Sequence, residues 1–260
     1  MKELLSGRIG NPDLSKLKKY IYAHRGYHDK PMIPENSMPA FKRAAERGWG
    51  GELDVHMTKD GKLAVFHDSD LKRITGAEGI LEDMTWEELT GLRLEGTRER
   101  MPLLDEVLEL AGSAGMPLII ELKTTGKTRK PLAKAVCERL SSYKGLYCIE
   151  SFDPIVMGEV RRLSPRIVRG QLSCNMFGPM DEEPKLIEKV LLTDLSLDIV
   201  SKPDFIAYKY EDRDRASLRR ACAKGIQEVA WTIRDPGDFR KCLELGIIPI
   251  FECFDPEAET

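Results

Sequence analysis

The sequence contains no uninterrupted apolar run of roughly 18 residues, which is the length that a membrane-spanning helix requires. Its first twenty residues also lack the apolar core of a secretory signal. We therefore expect a cytoplasmic protein with no stable membrane insertion.

Neither closely spaced cysteines nor an excess of basic residues is present. No two of the six cysteines lie closer than eleven positions apart, so the chain has no Cys-x-x-Cys metal or redox motif. This spacing favours reduced thiols in the cytosol. The chain has 40 basic and 43 acidic residues, which gives a net charge of −3. We therefore expect no nucleic-acid partner, since such binding needs a basic field.

Short apolar runs alternate with helix-type patterns almost to the end of the chain. Such alternation predicts βα units around a parallel sheet, and 260 residues is close to the roughly 250 of a (β/α)₈ barrel. The predicted strands are 20–23, 51–57, 62–66, 117–122, 146–150, 167–172, 205–207, 228–233 and 247–251. The predicted helices are 37–47, 103–111, 130–141, 154–163, 183–192, 213–224 and 236–245.

About eight βα units fit if the run at 62–66 belongs to an insertion instead of to the barrel. The predicted fold is therefore an α/β protein, a (β/α)₈ TIM barrel with a small insertion after the second strand. That insertion covers approximately 58–100 and contains one helix near 85–90. The chain, 1–260, is expected to form a single domain. Barrel active sites lie at the carboxyl ends of the strands, so polar residues there are candidates for function.

Acidic residues are found on two successive barrel strands. Glu52 and Asp54 are two residues apart and share one face of the second strand. Glu121 ends the next strand. Three converging carboxylates without a cysteine suit a hard divalent cation, Mg²⁺ or Ca²⁺. The alternative is that they are solvent-facing strand residues balanced by nearby lysines (Lys59, Lys62 or Lys123).

All four histidines fall between positions 24 and 67. His24 and His67 follow strands, and histidine is the usual general acid or base near neutral pH, so these two are the candidate proton-transfer pair. His56 shares the face of Asp54 and is a weaker candidate, as a neighbour of the ligands. His28 lies in a loop and is expected to be merely exposed.

Two basic residues accompany the acids and histidines at the strand ends. The guanidinium of Arg25 matches phosphate oxygens in a fork, and Lys123 would add a point charge on the face of Glu121. These groups together suit a phosphate ester. Gly26 permits a tight turn beside the site, and Ser37 is a natural helix N-cap.

Ordered sequence blocks at compatible spacing carry a family resemblance. They are HRG at 24–26, PENS at 34–37, ELDVHMTKDGKLAVFHDSDLKRITG at 52–76, PLIIELK at 117–123 and, later, VAWTI at 229–233 with ELGI at 244–247. This pattern resembles the glycerophosphodiester phosphodiesterase family, which is related to phosphatidylinositol-specific phospholipases. The last strand, IIPIFECFDPE, departs from the family's usual Gly-Val-Asp-Gly-Ile-Thr-Asp-x-Pro ending, so the alcohol head group is left open.

The resemblance implies a (β/α)₈ barrel that hydrolyses glycerophosphodiesters, small-molecule substrates, to glycerol phosphate and an alcohol with a divalent cation. It implies a role for each matched residue: His24 and His67 as acid and base; Glu52, Asp54 and Glu121 as metal ligands; Arg25 and Lys123 as phosphate contacts; Glu35 and Asn36 as site residues; and Trp231 as a wall for the glycerol moiety.

Two alternatives to this function stay open. One is a lysophospholipase D-like enzyme of the same superfamily, whose apolar lip for acyl chains would come from Met176 and Phe177 or from the segment 251–254. The other is a barrel that binds a phosphodiester or a protein partner without catalysis.

Overall fold

The structure is a computed structural model that describes residues 12–177 and 186–258. Its strands are β1 Tyr22–Ala23, β2 Gly50–Met57, β3 Leu63–Val65, β4 Leu118–Leu122, β5 Tyr147–Ser151, β6 Arg169–Ser173, β7 Phe205–Lys209, β8 Gln227–Ile233 and β9 Ile248–Phe251. Every predicted strand is present, with ends that differ by at most two residues.

The strands form one sheet in the order β1-β9-β8-β7-β6-β5-β4-β2-β3, and β1 also pairs with β2. β3 runs antiparallel to β2 and stands outside the closed set. The other eight strands form a closed parallel barrel with helices between them, so the predicted (β/α)₈ TIM barrel is confirmed. The run at 62–66 belongs to an insertion, as the strand count required.

The α-helices are α1 Pro12–Leu17, α2 Met38–Glu46, α3 Lys72–Thr75, α4 Trp86–Leu89, α5 Leu104–Ala114, α6 Arg129–Leu140, α7 Pro154–Leu163, α8 Leu186–Thr193, α9 Asp198–Ser201, α10 Ala216–Ala223 and α11 Pro236–Glu244. α1, α3 and α9, helices of four to six residues, were not predicted; α3 and α9 also lack the side-chain N-cap that α4 has at Thr85. The predicted start of the helix at 183–192 lies outside the described residues. Within the described ranges, no helix is long and apolar enough to cross a membrane.

Residues 20–147 form one compact unit that carries β1 to β4. The turn after β1 needs a glycine, because Gly26 has φ 76° and a Cβ there would approach the backbone of Ala40 to 2.8 Å. Ser37 caps α2, accepting a hydrogen bond from the backbone of Ala40 at 3.4 Å. The insertion between β2 and α5 has an apolar cluster of its own: Ala64, Phe66, Leu71, Ile74, Leu81, Leu89, Leu94 and Met101.

The described parts of 1–19 and 148–260 form the second compact unit, which carries β5 to β9. Apolar residues of β7 pack with Leu218 of α10 in one cluster. Near the end of the chain, Phe239, Phe251 and Phe254 pack against one another, with ring centroids 5.4–5.6 Å apart. Aromatic packing thus anchors the last strand beside the last helix.

Candidate active site

Three carboxylates predicted as metal ligands lie on neighbouring strands of the 20–147 unit. Glu52 and Asp54 belong to β2, Glu121 belongs to β4, and Asp54 stands opposite Glu121 in the parallel register. One oxygen atom from each carboxylate lies within 4.8 Å of the other two. All three residues are buried, so they are not solvent-facing strand residues. An all-oxygen donor set of this kind fits Mg²⁺ or Ca²⁺.

Lys123, the residue that follows β4, neutralises part of this charge. Its Nζ lies 3.1 Å from Asp54 Oδ1 and 2.9 Å from Glu121 Oε2. Burial tends to raise the pKa of Asp54, but Lys123, His67 and Arg25 hold it well below its usual value. Burial raises the pKa of Glu121 to about 7, assisted by the Asp54 charge and opposed by Lys123. The lysine alone therefore leaves the acids short of positive charge.

The loop after β1 fixes two of these acids through its backbone and an amide side chain. Arg25 and Asn36 both adopt left-handed conformations, with φ 54° and 53°. The backbone N–H of Asn36 donates to the Arg25 carbonyl at 2.9 Å. The Arg25 amide donates to Glu52 Oε2 at 2.9 Å. Asn36 Nδ2 donates to Asp54 Oδ2 at 2.8 Å. Uncommon backbone conformations at such positions are typical of functional sites.

Glu35 is a buried carboxylate surrounded by cations. Arg25 Nη1 donates to Glu35 Oε1 at 2.7 Å, while Arg25 Nε lies 3.5 Å from Asp54 Oδ2. Arg73 and Lys30 also pair with Glu35, whose side chain is only 3% exposed. The structure therefore places Glu35 where it orients Arg25.

His67 follows β3 in the insertion. Its Nδ1 lies 2.5 Å from Asp68 Oδ1. Burial lowers the pKa of His67 to about 4, so its ring is neutral near pH 7. Burial tends to raise the pKa of Asp68, yet hydrogen bonds from His67 and Arg73 hold it below its ordinary value. Because Asp68 is therefore a carboxylate, the His67 proton resides on Nδ1, and Nε2 carries the lone pair of a base.

The other histidines differ in their surroundings. His24 directly follows β1 and is half-buried, as is His28 in the loop beyond it. His56 is buried, with Nδ1 2.7 Å from Glu82 Oε1 and Nε2 3.0 Å from the His67 carbonyl. His56 therefore contacts the backbone of His67 and the insertion.

Trp231 lies on β8, in the other compact unit from the acids and His67. Its Nε1 donates to the Ala207 carbonyl at 3.1 Å, and its ring packs edge-on against Phe152. Its role as a glycerol wall stays a prediction.

Sequence reasoning gave no role to Asp68, Arg73, Lys30 or Glu82. Asp68 and Arg73 lie inside the block FHDSDLKR, so a signal for them existed. Charged residues in a loop are more often solvated than paired, which is why that signal was weak.

A closed βα barrel with buried acids, a lysine, an arginine and a neutral histidine near its strand ends defines a class of barrel enzymes for phosphate esters. The family model described as the glycerophosphoryl diester phosphodiesterase family matches residues 24–252. The chain belongs to that family, and it is an enzyme of the phosphoric diester hydrolase class.

Similar proteins agree with this assignment. A glycerophosphodiester phosphodiesterase of Caldanaerobacter subterraneus subsp. tengcongensis is 31% identical, over 93% of this chain and 96% of that protein. A lysophospholipase D of Rattus norvegicus is 34% identical, over 88% of this chain and 81% of that protein. A phosphodiesterase of Oleispira antarctica, solved with the product sn-glycerol-3-phosphate, shares the fold. Its TM-score is 0.75 at 24% identity, over 92% of this chain and 95% of that one.

Proposed function

We propose that this protein hydrolyses glycerophosphodiesters to glycerol 3-phosphate and an alcohol, with a divalent cation and with His24 and His67 as the proton-transfer pair. The observation that carries the proposal is the buried cluster of Glu52, Asp54 and Glu121, in which one lysine ammonium lies between Asp54 and Glu121. We also propose that the chain acts as a single cytoplasmic domain on a small-molecule substrate.

Glu52, Asp54 and Glu121 would hold the cation through carboxylate oxygens. Bound there, Mg²⁺ or Ca²⁺ supplies positive charge to phosphoryl oxygens and lowers the pKa of a hydroxyl group. Asn36 and the Arg25 amide keep two of the acids oriented for this role. An orienting hydrogen bond to a ligand typically affects metal affinity by about 10- to 100-fold.

The side chains of Arg25 and Lys123 bind the phosphate group in this scheme. Both are largely buried, so their charges act on phosphoryl oxygens with little screening by water. His67 is neutral near pH 7 and can accept a proton at Nε2 while Asp68 stabilises the resulting imidazolium. One of the two, His24 or His67, removes the proton of the neighbouring glycerol hydroxyl as its oxygen bonds to phosphorus, and the other protonates the leaving alkoxide as its bond to phosphorus breaks. Water then opens the resulting cyclic phosphate to give glycerol 3-phosphate.

A coupled assay for glycerol 3-phosphate tests this function. Purified protein would be offered several glycerophosphodiesters with Mg²⁺, with Ca²⁺ or with EDTA. We expect release with one or both cations and none with EDTA. Equal turnover in EDTA would refute the metal requirement, and no release from any substrate would refute the proposed hydrolysis.

Lysophospholipase D-like activity is the second candidate, favoured by the identity to the rat relative. Among the residues that could form an apolar lip, Met176 and Phe251 are 1% and 0% exposed, while Phe177 is 53% exposed. Two of the expected lip residues therefore belong to the core. Comparing glycerophosphocholine with lysophosphatidylcholine separates the two activities, and we expect faster hydrolysis of glycerophosphocholine.

A further inference from the structure

One arginine of the insertion contacts two separate carboxylates of the site. Arg73 lies on α3, and its Nε donates to Asp68 Oδ2 at 2.5 Å. Its Nη2 donates to Glu35 Oε1 at 2.7 Å, and its Nη1 to Glu35 Oε2 at 3.2 Å. Three of the five N–H donors of the guanidinium are therefore used, on two residues that lie far apart in the sequence.

Each of these carboxylates holds a residue to which the proposed function gives a direct role. Asp68 accepts the Nδ1 proton of His67, and Glu35 accepts from the Nη1 of Arg25. The contacts form a continuous chain of side chains: His67, Asp68, Arg73, Glu35 and Arg25. Arg73 is the central member and joins the proton-transfer end to the phosphate-binding end.

We propose that Arg73 is a positioning residue, which holds the His67 ring and the Arg25 guanidinium in their relative orientation for the reaction. The proposal rests on the proposed function, because that function gives His67 and Arg25 their roles. It adds a second residue of the insertion to the proposed reaction, since His67 also lies there.

The planar fork of a guanidinium is what makes this arrangement possible. Nε points to one carboxylate while Nη1 and Nη2 bind the other, a pattern that the point charge of a lysine cannot reproduce. Lys30 also pairs with Glu35, so loss of Arg73 leaves Glu35 with two cations. Asp68 has a more exposed environment than Glu35, with a side chain 21% against 3% exposed. We therefore expect His67 to loosen more than Arg25 does.

The kinetic test compares Arg73→Ala and Arg73→Lys with Lys72→Ala. Lys72 is a matched control, because it is on the same helix and its side chain pairs with the exposed carboxylate of Glu78. For Arg73→Ala we expect kcat to fall about 30-fold through His67 and KM to rise about threefold through Arg25, within the range typical of residues that orient a site. Arg73→Lys should recover less than half of the loss in kcat/KM, measured on a logarithmic scale. The kcat/KM of Lys72→Ala should stay within about twofold of the wild-type value.

A merely structural role gives a different result. In that case thermal melting would shift, while kcat and KM per folded molecule would stay at the wild-type values. That outcome, or full rescue by Arg73→Lys, would overturn the proposal. If Arg73→Ala fails to fold, Arg73→Lys and Arg73→Gln provide the same comparison with a side chain of similar length.

A spectroscopic measurement tests the positioning independently of turnover. In ¹⁵N-histidine NMR spectra the His67 ring should show the Nδ1–H tautomer in the wild type and in Lys72→Ala. In Arg73→Ala we expect its nitrogen shifts to move toward the average of two tautomers. Unchanged nitrogen shifts in Arg73→Ala would overturn the proposal. Inactivity of the wild-type enzyme on every glycerophosphodiester would refute the proposed function, but it would leave this measurement valid.

Discussion

In residues 20–147, the buried carboxylates of Glu35, Asp54 and Glu121 pair with lysine and arginine side chains. In residues 148–258, the buried guanidinium of Arg169 donates instead to main-chain carbonyls. Four carbonyl oxygens accept from it at 3.1–3.4 Å, those of Pro165, Ile167, Ser201 and Lys202. Both regions bury charge, but they satisfy it in different ways.

The difference separates residues of the proposed reaction site from residues that support the fold. Backbone carbonyls are fixed by the chain, so the Arg169 contacts cannot be exchanged for a ligand. Ion pairs between side chains can be exchanged, because a cation or a phosphate can replace either partner. Position agrees with this distinction: Arg169 begins β6, whereas Lys123 follows the end of β4, and barrel active sites lie at the carboxyl ends of strands.

The strongest test of the comparison removes a histidine from the 20–147 region. We expect His67→Ala and His24→Ala each to lower kcat by about 10³-fold, because each would remove a proton-transfer group. Their melting temperatures should stay close to that of the wild type. Lys72→Ala, on the exposed side of α3, serves as the control and should keep most of its activity. Near-normal turnover in either variant would remove that histidine from the mechanism.

The converse test uses the backbone-binding arginine. Arg169→Met should lower the free energy of unfolding by about 3 kcal/mol, because several buried carbonyls lose their donor. Urea denaturation measures this loss. The folded fraction should retain kcat/KM within about twofold, since these backbone contacts support the fold and Arg169 lies at the amino end of its strand. Stability equal to the wild type would show that these contacts are replaceable.

The Lys123→Met variant tests whether a metal cation can replace the lysine in the ion pairs of the first region. With EDTA present, we expect the free energy of unfolding to fall by about 2 kcal/mol, because Asp54 and Glu121 lose the cation between them. Mg²⁺ or Ca²⁺ should stabilise the variant more than the wild type. Chemical denaturation with and without the cation measures both effects. An identical response to the cation in the two proteins would contradict an exchangeable site.

The smallest expected effect concerns Asp198, a carboxyl group in the second region. Burial raises its pKa to about 7, and its Oδ1 has no hydrogen-bond partner among the residues that the structure describes. Ionisation is therefore unfavourable in the folded state. The resulting loss of stability begins above the ordinary pKa of aspartate and is complete above pH 7. Asp198→Asn should then stabilise the protein by about 1 kcal/mol at pH 8, after allowance for partial exposure, and by nearly nothing at pH 4. Equal gains at both pH values would point to a cause other than ionisation.

Much of the fold was predictable, since each barrel strand and each longer helix has a local pattern. The alternation in β2 is sufficient to place Glu52 and Asp54 on one face of that strand. The ordered blocks from 24 to 123 correctly indicated the family. The short helix α3 was missed; unlike α4, it has no side-chain N-cap to mark its start. Arg73 lies on this helix and was also not predicted, since its partner Glu35 is 38 positions away in the sequence.

The sequence by itself determined the order of strands and helices, the barrel class and the candidate acids and histidines, because these follow from side-chain periodicity and residue type over short stretches. Tertiary structure alone decided that Asp54 faces Glu121 and that Lys123 lies between them. It also decided that Arg73 joins Asp68 to Glu35. Such contacts depend on strand register and on loop conformations like the left-handed turn at Arg25, and no local pattern encodes either.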